Sequence, residues 1–354
     1  MASITLRNLT KRFGSVTAVD QMNLELQEGE LIAFLGPSGC GKTTTLRMIA
    51  GFEIPTGGEI LFGTHPVTNL MPEKRNIGMV FQNYALFPHM TVWQNVAFGL
   101  EMRKVPKDEI AKRVQDILNR TQLGHLGERY PRQLSGGQQQ RTALARALVI
   151  NPAVLLLDEP LANLDAKLRE EMRFYIRHLQ QEFAITTIYV THDQAEAMVL
   201  ADRIAVMMDG ELHQLDRPEE IYRRPASKKV AEFIGLSNFI PGKVESRSGE
   251  RLVVNTAVGP LQCGGVASIK EGDQTLVSVR PESLHFTQDE GLNTVAGVVK
   301  ERAYLGNLID YQVEVTPEIT LRIQAGPSHQ YVAGDRVRLQ FAAGEAWAVP
   351  GEGR

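Results

Sequence analysis

A glycine-rich segment that ends in lysine and threonine is the first feature of this sequence that points to chemistry. Its glycines let successive backbone N–H groups surround a phosphate at the N-terminus of a helix, where the helix dipole favours negative charge. Lys42 can reach the outer phosphates of a nucleotide, and the Thr43 hydroxyl suits Mg²⁺. A plain strand-to-helix turn is the alternative. We expect the nucleotide site to comprise Gly36, Pro37, Ser38, Gly39, Cys40, Gly41, Lys42, Thr43 and Thr44.

Two acidic residues indicate the second half of this site. Asp158 and Glu159 follow the apolar run at residues 154–157. A buried strand that ends in Asp158 places a carboxylate at the edge where α/β sheets bind ligands, and this carboxylate suits Mg²⁺ held through water. Glu159 is placed to orient or deprotonate an attacking water. These acids could instead only cap a helix, but beside the glycine-rich segment they predict nucleotide hydrolysis or phosphoryl transfer to another acceptor.

A second glycine pair indicates a second anion site. Ser135 precedes Gly136 and Gly137, and a helical pattern begins with Gln138. A single ATP held at Lys42 does not need this donor-rich turn. Two copies placed head to tail would bring the Ser135 segment of each onto the γ-phosphate held by the other. The pattern therefore predicts an ATP-bound homodimer, with an ordinary capped helix as the alternative.

The apolar patterns indicate which elements hold these segments. Residues 1–30 alternate as antiparallel strands do, whereas the run 31–35 is continuously apolar, as in a strand buried on both faces. Residues 110, 114, 117 and 118 have helical spacing within a helical insertion at about 86–150. Buried-strand patterns return at 153–157 and 187–190, each followed by helix-like sequence. The first domain, residues 1–235, is therefore predicted to be α/β with a parallel core sheet, and Asp209-Gly210 predicts a closing hairpin.

The rest of the chain, residues 236–354, has short apolar segments divided by turn residues. This spacing predicts an all-β second domain built as a small barrel. The expected strands lie at 252–255, 275–280, 295–299, 311–315, 321–323 and 336–341.

Composition excludes several classes of protein. The 354 residues include 38 Lys and Arg against 41 Asp and Glu, a net charge of −3, so there is no general attraction to nucleic acid or to an anionic membrane. The two cysteines, Cys40 and Cys263, are too few for a disulfide framework and suit a reducing compartment. No apolar run approaches the ~18 residues of a spanning helix, and the start does not resemble a secretory signal. We expect a cytoplasmic chain without a membrane span.

The order of these motifs resembles that of ATP-binding-cassette (ABC) ATPases. Residues 134–138, Leu-Ser-Gly-Gly-Gln, resemble the signature of the family. Phe13 falls where the family places the aromatic ring that stacks on adenine. Gln82 falls at the glutamine that contacts Mg²⁺ and the attacking water. Asp165 lies in a segment that resembles the loop signalling to the opposite monomer, and His192 falls at the switch histidine.

The resemblance implies roles for these residues. Glu159 would be the general base, and His192 would steady the γ-phosphate and the water. Mg²⁺ would be bound by Thr43, Gln82 and Asp158, and ATP would also contact Phe13 and Gln82. The ATP of the partner copy would be bound in trans by Ser135, Gly136, Gly137, Gln138 and Asp165.

The resemblance also implies partners: two transmembrane permease subunits, a second copy of this chain, and, indirectly, a periplasmic or extracellular substrate-binding protein. The chain would lie peripherally on the cytoplasmic face of the cell (inner) membrane.

The apolar segment 84–93 either receives a helix of the permease or packs inside the helical insertion. Residues 75–92 resemble importer ATPases, and 233–239, 279–282 and 304–306 resemble their OB-like (TOBE) regulatory domain. The wording is nearest to polyamine-type subunits, with iron(III), sulfate and sugar importers as near relatives.

Two other classes of P-loop protein are alternatives. An ABC protein of translation or DNA repair commonly carries two cassettes or a long coiled coil, whereas this sequence has one Lys42-type loop, no internal repeat and no basic stripe. A GTPase would carry an Asn-Lys-x-Asp segment, which does not occur. We therefore expect no nucleic-acid partner.

Overall fold

The computed structural model describes residues 2–351, which form two compact units, one ending at Pro218 and the other beginning at Glu219. This boundary precedes the one near residue 235 that the composition suggests. The physical reason is the buried side chain of Arg280, which donates hydrogen bonds to the carbonyl oxygens of Tyr222, Ala231 and Gly235. These bonds hold the short helices after residue 218 within the second unit.

The first unit contains ten of the strands and six of the helices formed by the described residues. Its strands are β1 (Ile4–Phe13), β2 (Val16–Leu26), β3 (Leu31–Leu35), β4 (Gly57–Phe62), β5 (His65–Pro66), β6 (Ile77–Val80), β7 (Val154–Asp158), β8 (Thr186–Thr191), β9 (Arg203–Met208) and β10 (Glu211–Asp216). Its helices are α1 (Lys42–Ala50), α2 (Val92–Met102), α3 (Lys107–Arg120), α4 (Gly136–Leu148), α5 (Ala166–Phe183) and α6 (Gln194–Leu200). Single 3-10 turns occur at Pro72–Lys74, Gly124–Leu126 and Pro131–Gln133.

The core of this unit is a six-stranded sheet in the order β10-β9-β3-β8-β7-β6. Strands β9, β3, β8, β7 and β6 are parallel, and β10 pairs antiparallel with β9. All five residues of β3 are buried, as expected for a strand covered on both faces. The predicted α/β class and parallel core are confirmed. The carboxyl ends of β3, β7 and β8 meet at one edge, where α/β sheets bind their ligands.

A second sheet of the first unit, β2-β1-β4-β5, is antiparallel. The segment between β6 and β7 carries α2, α3 and α4. Helix α3 is amphipathic and buries Ile110, Val114, Ile117 and Leu118, the four residues whose spacing indicates a helix. No helix within residues 2–351 combines the length and apolar character needed to cross a membrane.

The second unit begins with helices α7 (Pro218–Arg223) and α8 (Lys228–Ile234), and the rest is all-β, as predicted. A closed barrel is formed by β11, β12, β13, β20 and β14, and a separate five-stranded sheet has the order β15-β19-β16-β17-β18. The strands are β11 (Asn238–Ser248), β12 (Arg251–Thr256), β13 (Gly259–Gly265), β14 (Gln274–Val279), β15 (His285–Thr287), β16 (Thr294–Tyr304), β17 (Ile309–Thr316), β18 (Ile319–Ala325), β19 (Arg336–Gln340) and β20 (Ala346–Pro350). Two 3-10 turns lie at Pro281–Ser283 and Ala343–Glu345.

The expectation of one small barrel with six strands is therefore incomplete. Four strands were missed. Strand β15 has only three residues and β20 ends in proline, while β11 and β13 contain glycine and proline, which weaken the usual strand pattern. Close packing requires these glycines: a Cβ on Gly264 would lie 2.6 Å from the Trp347 ring, and one on Gly242 would lie 2.6 Å from a Val254 methyl group.

Candidate functional site

The glycine-rich loop lies between the end of β3 and the start of α1, at the ligand-binding edge of the sheet. The Lys42 ammonium is buried inside it and donates hydrogen bonds to the carbonyl oxygens of Gly36 (2.7 Å) and Pro37 (2.8 Å). Pro37, Ser38 and Gly39 are exposed. The loop therefore presents an open backbone face with a cation held directly behind it, which suits a polyphosphate.

Two glycines of the loop are required by close backbone packing. A Cβ on Gly36 would lie 2.1 Å from the Met207 carbonyl oxygen. Gly41 has φ +101°, and a Cβ there would lie 2.4 Å from the Ala18 carbonyl oxygen on β2. These contacts fix the loop against β2 and β9, so its shape is set before any ligand binds.

Thr43 on α1 and Asp158 at the end of β7 form the second part of the site. The Thr43 hydroxyl donates to Oδ1 of Asp158 at 3.3 Å. Burial raises the pKa of Asp158, partly offset by this hydrogen bond. Two hard oxygen donors side by side are the ligand type that Mg²⁺ prefers. Among residues 2–351 no group of three His, Cys, Asp or Glu is placed to hold a metal.

Glu159 is contacted through both of its carboxylate oxygens. Gln82, which follows β6, approaches Oε2 with its amide Nε2 at 3.5 Å, and Nδ1 of His192 lies 3.2 Å from Oε1. The Gln82 backbone is held in turn by the Asn163 amide, which donates to its carbonyl oxygen at 2.8 Å. The structure thus brings together four of the predicted residues, Gln82, Asp158, Glu159 and His192, beside Thr43.

A buried network behind His192 was not predicted. The Glu196 carboxylate accepts hydrogen bonds from the hydroxyls of Thr191 (2.7 Å) and Tyr189 (2.9 Å). Burial raises the pKa of Glu196. Asp193 caps α6 by accepting from the Glu196 amide at 3.1 Å. The sequence signal was available, because an aspartate followed three residues later by glutamate is a helix-start pattern.

Arginines on α5 extend this network. Arg173 pairs with Asp193 at 3.1 Å, and Arg169 donates to the Leu164 carbonyl oxygen at 3.0 Å. A small cavity of about 70 Å³ lies between Glu159, Arg169 and His192. Arg169 also lies 3.9 Å from Asp193, so the residue that follows His192 is linked through Arg169 to the turn that precedes Asp165.

The residues predicted to act in trans lie together at the starts of α4 and α5. Ser135 caps α4 in a capping box, accepting from the Gln138 amide (3.4 Å) while its own amide donates to the Gln138 side chain (3.0 Å). Asp165 caps α5. A Cβ on Gly136 would lie 3.0 Å from a Leu164 methyl group. The Ser135 carbonyl oxygen accepts from the Gln139 amide at 2.9 Å, so these three bonds of Ser135 lie within the first turn of α4.

Phe13 lies at the end of β1 with its side chain 49% exposed, which argues against core packing. The Lys11 ammonium lies 4.9 Å from the ring centroid. The hairpin that carries Phe13 continues along β2 to Ala18, the residue against which Gly41 packs. An exposed aromatic face on the same hairpin suits stacking by a nucleotide base.

The segment 83–91, which we call the docking segment, is less apolar on its surface than the sequence suggests. Tyr84 is buried, and Leu86 and Trp93 pack against the core of the helical insertion. Asn83, Ala85, Pro88 and His89 are exposed. Of the two interpretations, the structure favours internal packing for the large side chains.

Two family models match the chain. The model described as ABC transporter matches residues 19–162, and the model described as TOBE domain matches residues 277–349. Each match falls within one of the two units.

Curated relatives cover most of the chain. A spermidine/putrescine import ATP-binding protein of Chromobacterium violaceum is 47% identical over 322 residues, covering 89% of each chain. A protein of the same description from Rubrobacter xylanophilus is 50% identical, covering 87% of this chain and 82% of its own length. An Fe(3+) ions import ATP-binding protein of Photobacterium profundum is 46% identical, covering 88% of this chain and 87% of its own.

Solved structures share the fold of the first unit. The cbiO1 protein of Clostridium perfringens, part of an ABC transporter complex, has a TM-score of 0.58 and 35% identity, covering 62% of this chain and 89% of its own. A dimeric ATP-binding cassette in a post-hydrolysis state, bound to ADP and Pi, has a TM-score of 0.54 and 34% identity, covering 61% and 98%.

Proposed function

The chain belongs to the ATP-binding subunits of ABC transporters, in the branch of import proteins, and from this membership we propose that it powers the uptake of a polyamine. It is an ATPase whose hydrolysis of ATP to ADP and phosphate is coupled to transport. The observation that carries the catalytic assignment is the cluster in which Gln82 and His192 contact the two oxygens of Glu159, next to Asp158 and Thr43.

Each residue of the cluster has a task in the proposed mechanism. The loop from Gly36 to Thr44 surrounds the phosphates, and Lys42 neutralises charge that develops on the γ-phosphate. Thr43, Asp158 and Gln82 would hold Mg²⁺, which would supply further charge neutralisation when bound. Glu159 accepts the proton of the attacking water. His192 steadies the γ-phosphate and the water and also contacts Glu159. Phe13 stacks on the adenine ring.

Hydrolysis takes place in a homodimer. Ser135, Gly136, Gly137, Gln138 and Asp165 of one copy close on the ATP held by the other. The support is the donor-rich start of α4, which lies beside the Asp165 turn. The bonds between Ser135 and Gln138 lie within the first turn of α4. ATP bound between the copies favours the closed dimer because it contacts both.

The work of the closing dimer reaches the membrane through separate subunits. We propose two permease subunits as direct partners and a substrate-binding protein on the far side of the membrane as an indirect one. The chain then lies peripherally on the cytoplasmic face. The docking segment begins directly after Gln82, and its exposed residues Asn83, Ala85, Pro88 and His89 are the surface offered to a permease helix.

The proposed substrate class follows from the relatives described as spermidine/putrescine import proteins. Iron(III) is the second candidate, since a relative of similar identity is described as an Fe(3+) ions import protein. The permease and the binding protein would make the selection.

The test is substrate uptake in a host strain whose own copy of the gene is deleted. Radiolabelled spermidine uptake should fall on deletion and return with the wild-type gene, but not with Glu159→Gln, and iron(III) uptake should stay unchanged. Loss of iron(III) uptake with unchanged spermidine uptake would make iron(III) the substrate in place of a polyamine. Unchanged uptake of both, with the chain recovered free of any membrane protein, would contradict the importer assignment.

A further inference from the structure

The side chain of Arg146 on α4 is bonded to the docking segment. Its Nη1 donates to the Ala85 carbonyl oxygen at 2.7 Å, and its Nη2 donates to the Tyr84 carbonyl oxygen at 2.8 Å. The guanidinium carbon also lies 5.5 Å from the centroid of the Phe87 ring. The planar guanidinium group of Arg146 thus contacts three residues of the segment. Two of them, Ala85 and Tyr84, are 61 and 62 positions from Arg146 in the chain.

The backbone held by this guanidinium group is strained. Tyr84 has φ +61° and Ala85 has φ +47°, two consecutive non-glycine residues in the left-handed region. Such residues keep this conformation only where their surroundings enforce it. Asn95 on α2 anchors the next part of the segment through the amide and carbonyl groups of Phe87. At Tyr84 and Ala85 themselves, Arg146 supplies the bonds to the carbonyl oxygens.

Arg146 also lies on the helix that begins at the second anion site. Helix α4 starts at Gly136, directly after Ser135, and Arg146 is ten residues further on, about 15 Å along the helix axis. In the other direction, Tyr84 is two residues from Gln82, whose amide reaches Glu159. The guanidinium group of Arg146 therefore connects a surface segment to one rigid helix and, through the chain, to the catalytic cluster.

We propose that Arg146 is a positioning residue that makes the docking segment and α4 move as one body. A push on the docking segment then displaces the Ser135 end of α4, which governs closure on the partner's ATP. The proposal rests on the proposed function for the source of the push, a permease subunit. The link between segment and helix is a property of this chain alone and is tested separately.

The link is tested by amide hydrogen exchange on the full chain, comparing Arg146→Gln with Arg141→Gln. Arg141 is a matched control, since it lies on α4, donates to the Gln122 side chain and stacks on the Tyr175 ring, away from the docking segment. We expect residues 84–90 to exchange at least about tenfold faster in Arg146→Gln and at the wild-type rate in Arg141→Gln. Arg146→Lys keeps the charge and a hydrogen-bond donor, so it should restore part of the protection. If Arg146→Gln does not fold, Arg146→Lys takes its place in the measurement. Unchanged exchange at residues 84–90 in the Gln and Lys variants would overturn the proposal, as would equally faster exchange in Arg141→Gln.

The transmission is tested by ATPase activity with and without the permease subunits in vesicles. The ratio of stimulated to basal activity should fall roughly fivefold or more in Arg146→Gln and stay at the wild-type value in Arg141→Gln. A wild-type chain that the permease does not stimulate would contradict the proposed function, while the exchange result would still decide the link. If the permease stimulated the wild type and Arg146→Gln equally, the proposed transmission through Arg146 would be overturned, while the link between segment and helix would stand.

Discussion

The Nδ1 atom of His192 lies 3.2 Å from Oε1 of Glu159, although the two residues follow different strands of the core sheet. Glu159 has φ +44°, a left-handed conformation that is uncommon for glutamate, and its amide donates to the Val190 carbonyl oxygen at 3.0 Å. The backbone of one strand end is therefore bonded to the next, and the carboxylate is turned toward the imidazole. Strain of this kind is typical of functional sites.

Replacing Glu159 by glutamine should separate ATP binding from hydrolysis. The amide keeps the shape of the carboxylate but cannot accept a proton, so hydrolysis should fall by about 10² to 10⁴ while ATP affinity is retained. Size-exclusion chromatography with ATP should then show a trapped dimer. Asp158→Asn is the control, since it should weaken Mg²⁺-dependent ATP binding itself. Hydrolysis by Glu159→Gln at the wild-type rate would refute Glu159 as the base.

Two glycines of the phosphate loop should respond differently to alanine. A Cβ at Gly36 would overlap the Met207 carbonyl oxygen and the Cys40 sulfur, so Gly36→Ala should distort the loop and abolish nucleotide binding. Gly39 has φ +82° but open space around it, so Gly39→Ala should cost about 1 kcal/mol of stability and keep most of the affinity. Titration with a fluorescent ATP analogue and urea unfolding measure both. Equal losses in the two variants would contradict this account of the loop.

Both cysteines should be unreactive in the native chain. Burial raises the pKa of the Cys40 thiol, against a lowering effect of Lys42, and raises the pKa of Cys263 to about 12. A raised thiol pKa means less thiolate at a given pH, so alkylation should accelerate only as the pH rises toward that value. Mass spectrometry after iodoacetamide at pH 8 should show slow labelling that becomes fast in denaturant. Cys40→Ser isolates Cys263, and native labelling at the rate of a free cysteine would be the contrary result.

Arg280 should determine the stability of the start of the second unit. It is buried, stacks on the Tyr222 ring at 4.1 Å, and donates to four backbone carbonyl oxygens of residues 222–236. Arg280→Met leaves these acceptors unpaired and should destabilise the unit by about 3 kcal/mol, with faster proteolysis at residues 219–237. The exposed Arg336 supplies the control, since Arg336→Met should change stability by less than about 0.5 kcal/mol. Equal proteolysis of the two variants would show that Arg280 does not anchor the helices.

The sequence predicted the parts of the molecule that depend on local patterns. The sequence indicated the buried strand at residues 31–35 and the helix around Ile110, because burial imposes a regular spacing of apolar residues. It also indicated the Ser135 cap, because helix starts favour particular residue types. The sequence did not indicate the hydrogen bonds of Arg146, because they join residues that are far apart in the chain. It did not indicate the network around Glu196, because these residues are buried behind the His192 motif. Of the four missed strands, β11 and β13 have glycines that serve packing between strands, which no single-strand pattern reports.

Assembly of the site from two copies should be visible in mixed dimers. Lys42→Ala removes the cation of the phosphate loop, and Ser135→Arg fills the second anion site, so each variant alone should lack ATPase activity. In a dimer of one Lys42→Ala chain and one Ser135→Arg chain, purified through two different tags, one composite site carries both changes and the other carries neither. The intact site should retain ATP and raise hydrolysis well above either parent dimer.

The matched control places both substitutions in one chain and pairs it with a wild-type chain. Each composite site then carries one change, so this dimer should stay inactive although it contains the same substitutions in the same numbers. An active first mixed dimer together with an inactive second one is expected only if Ser135 acts on the ATP bound at Lys42 of the partner copy. The reverse pattern, with the second mixed dimer active and the first inactive, would place Ser135 and Lys42 in one chain's site, and the head-to-tail dimer would be wrong.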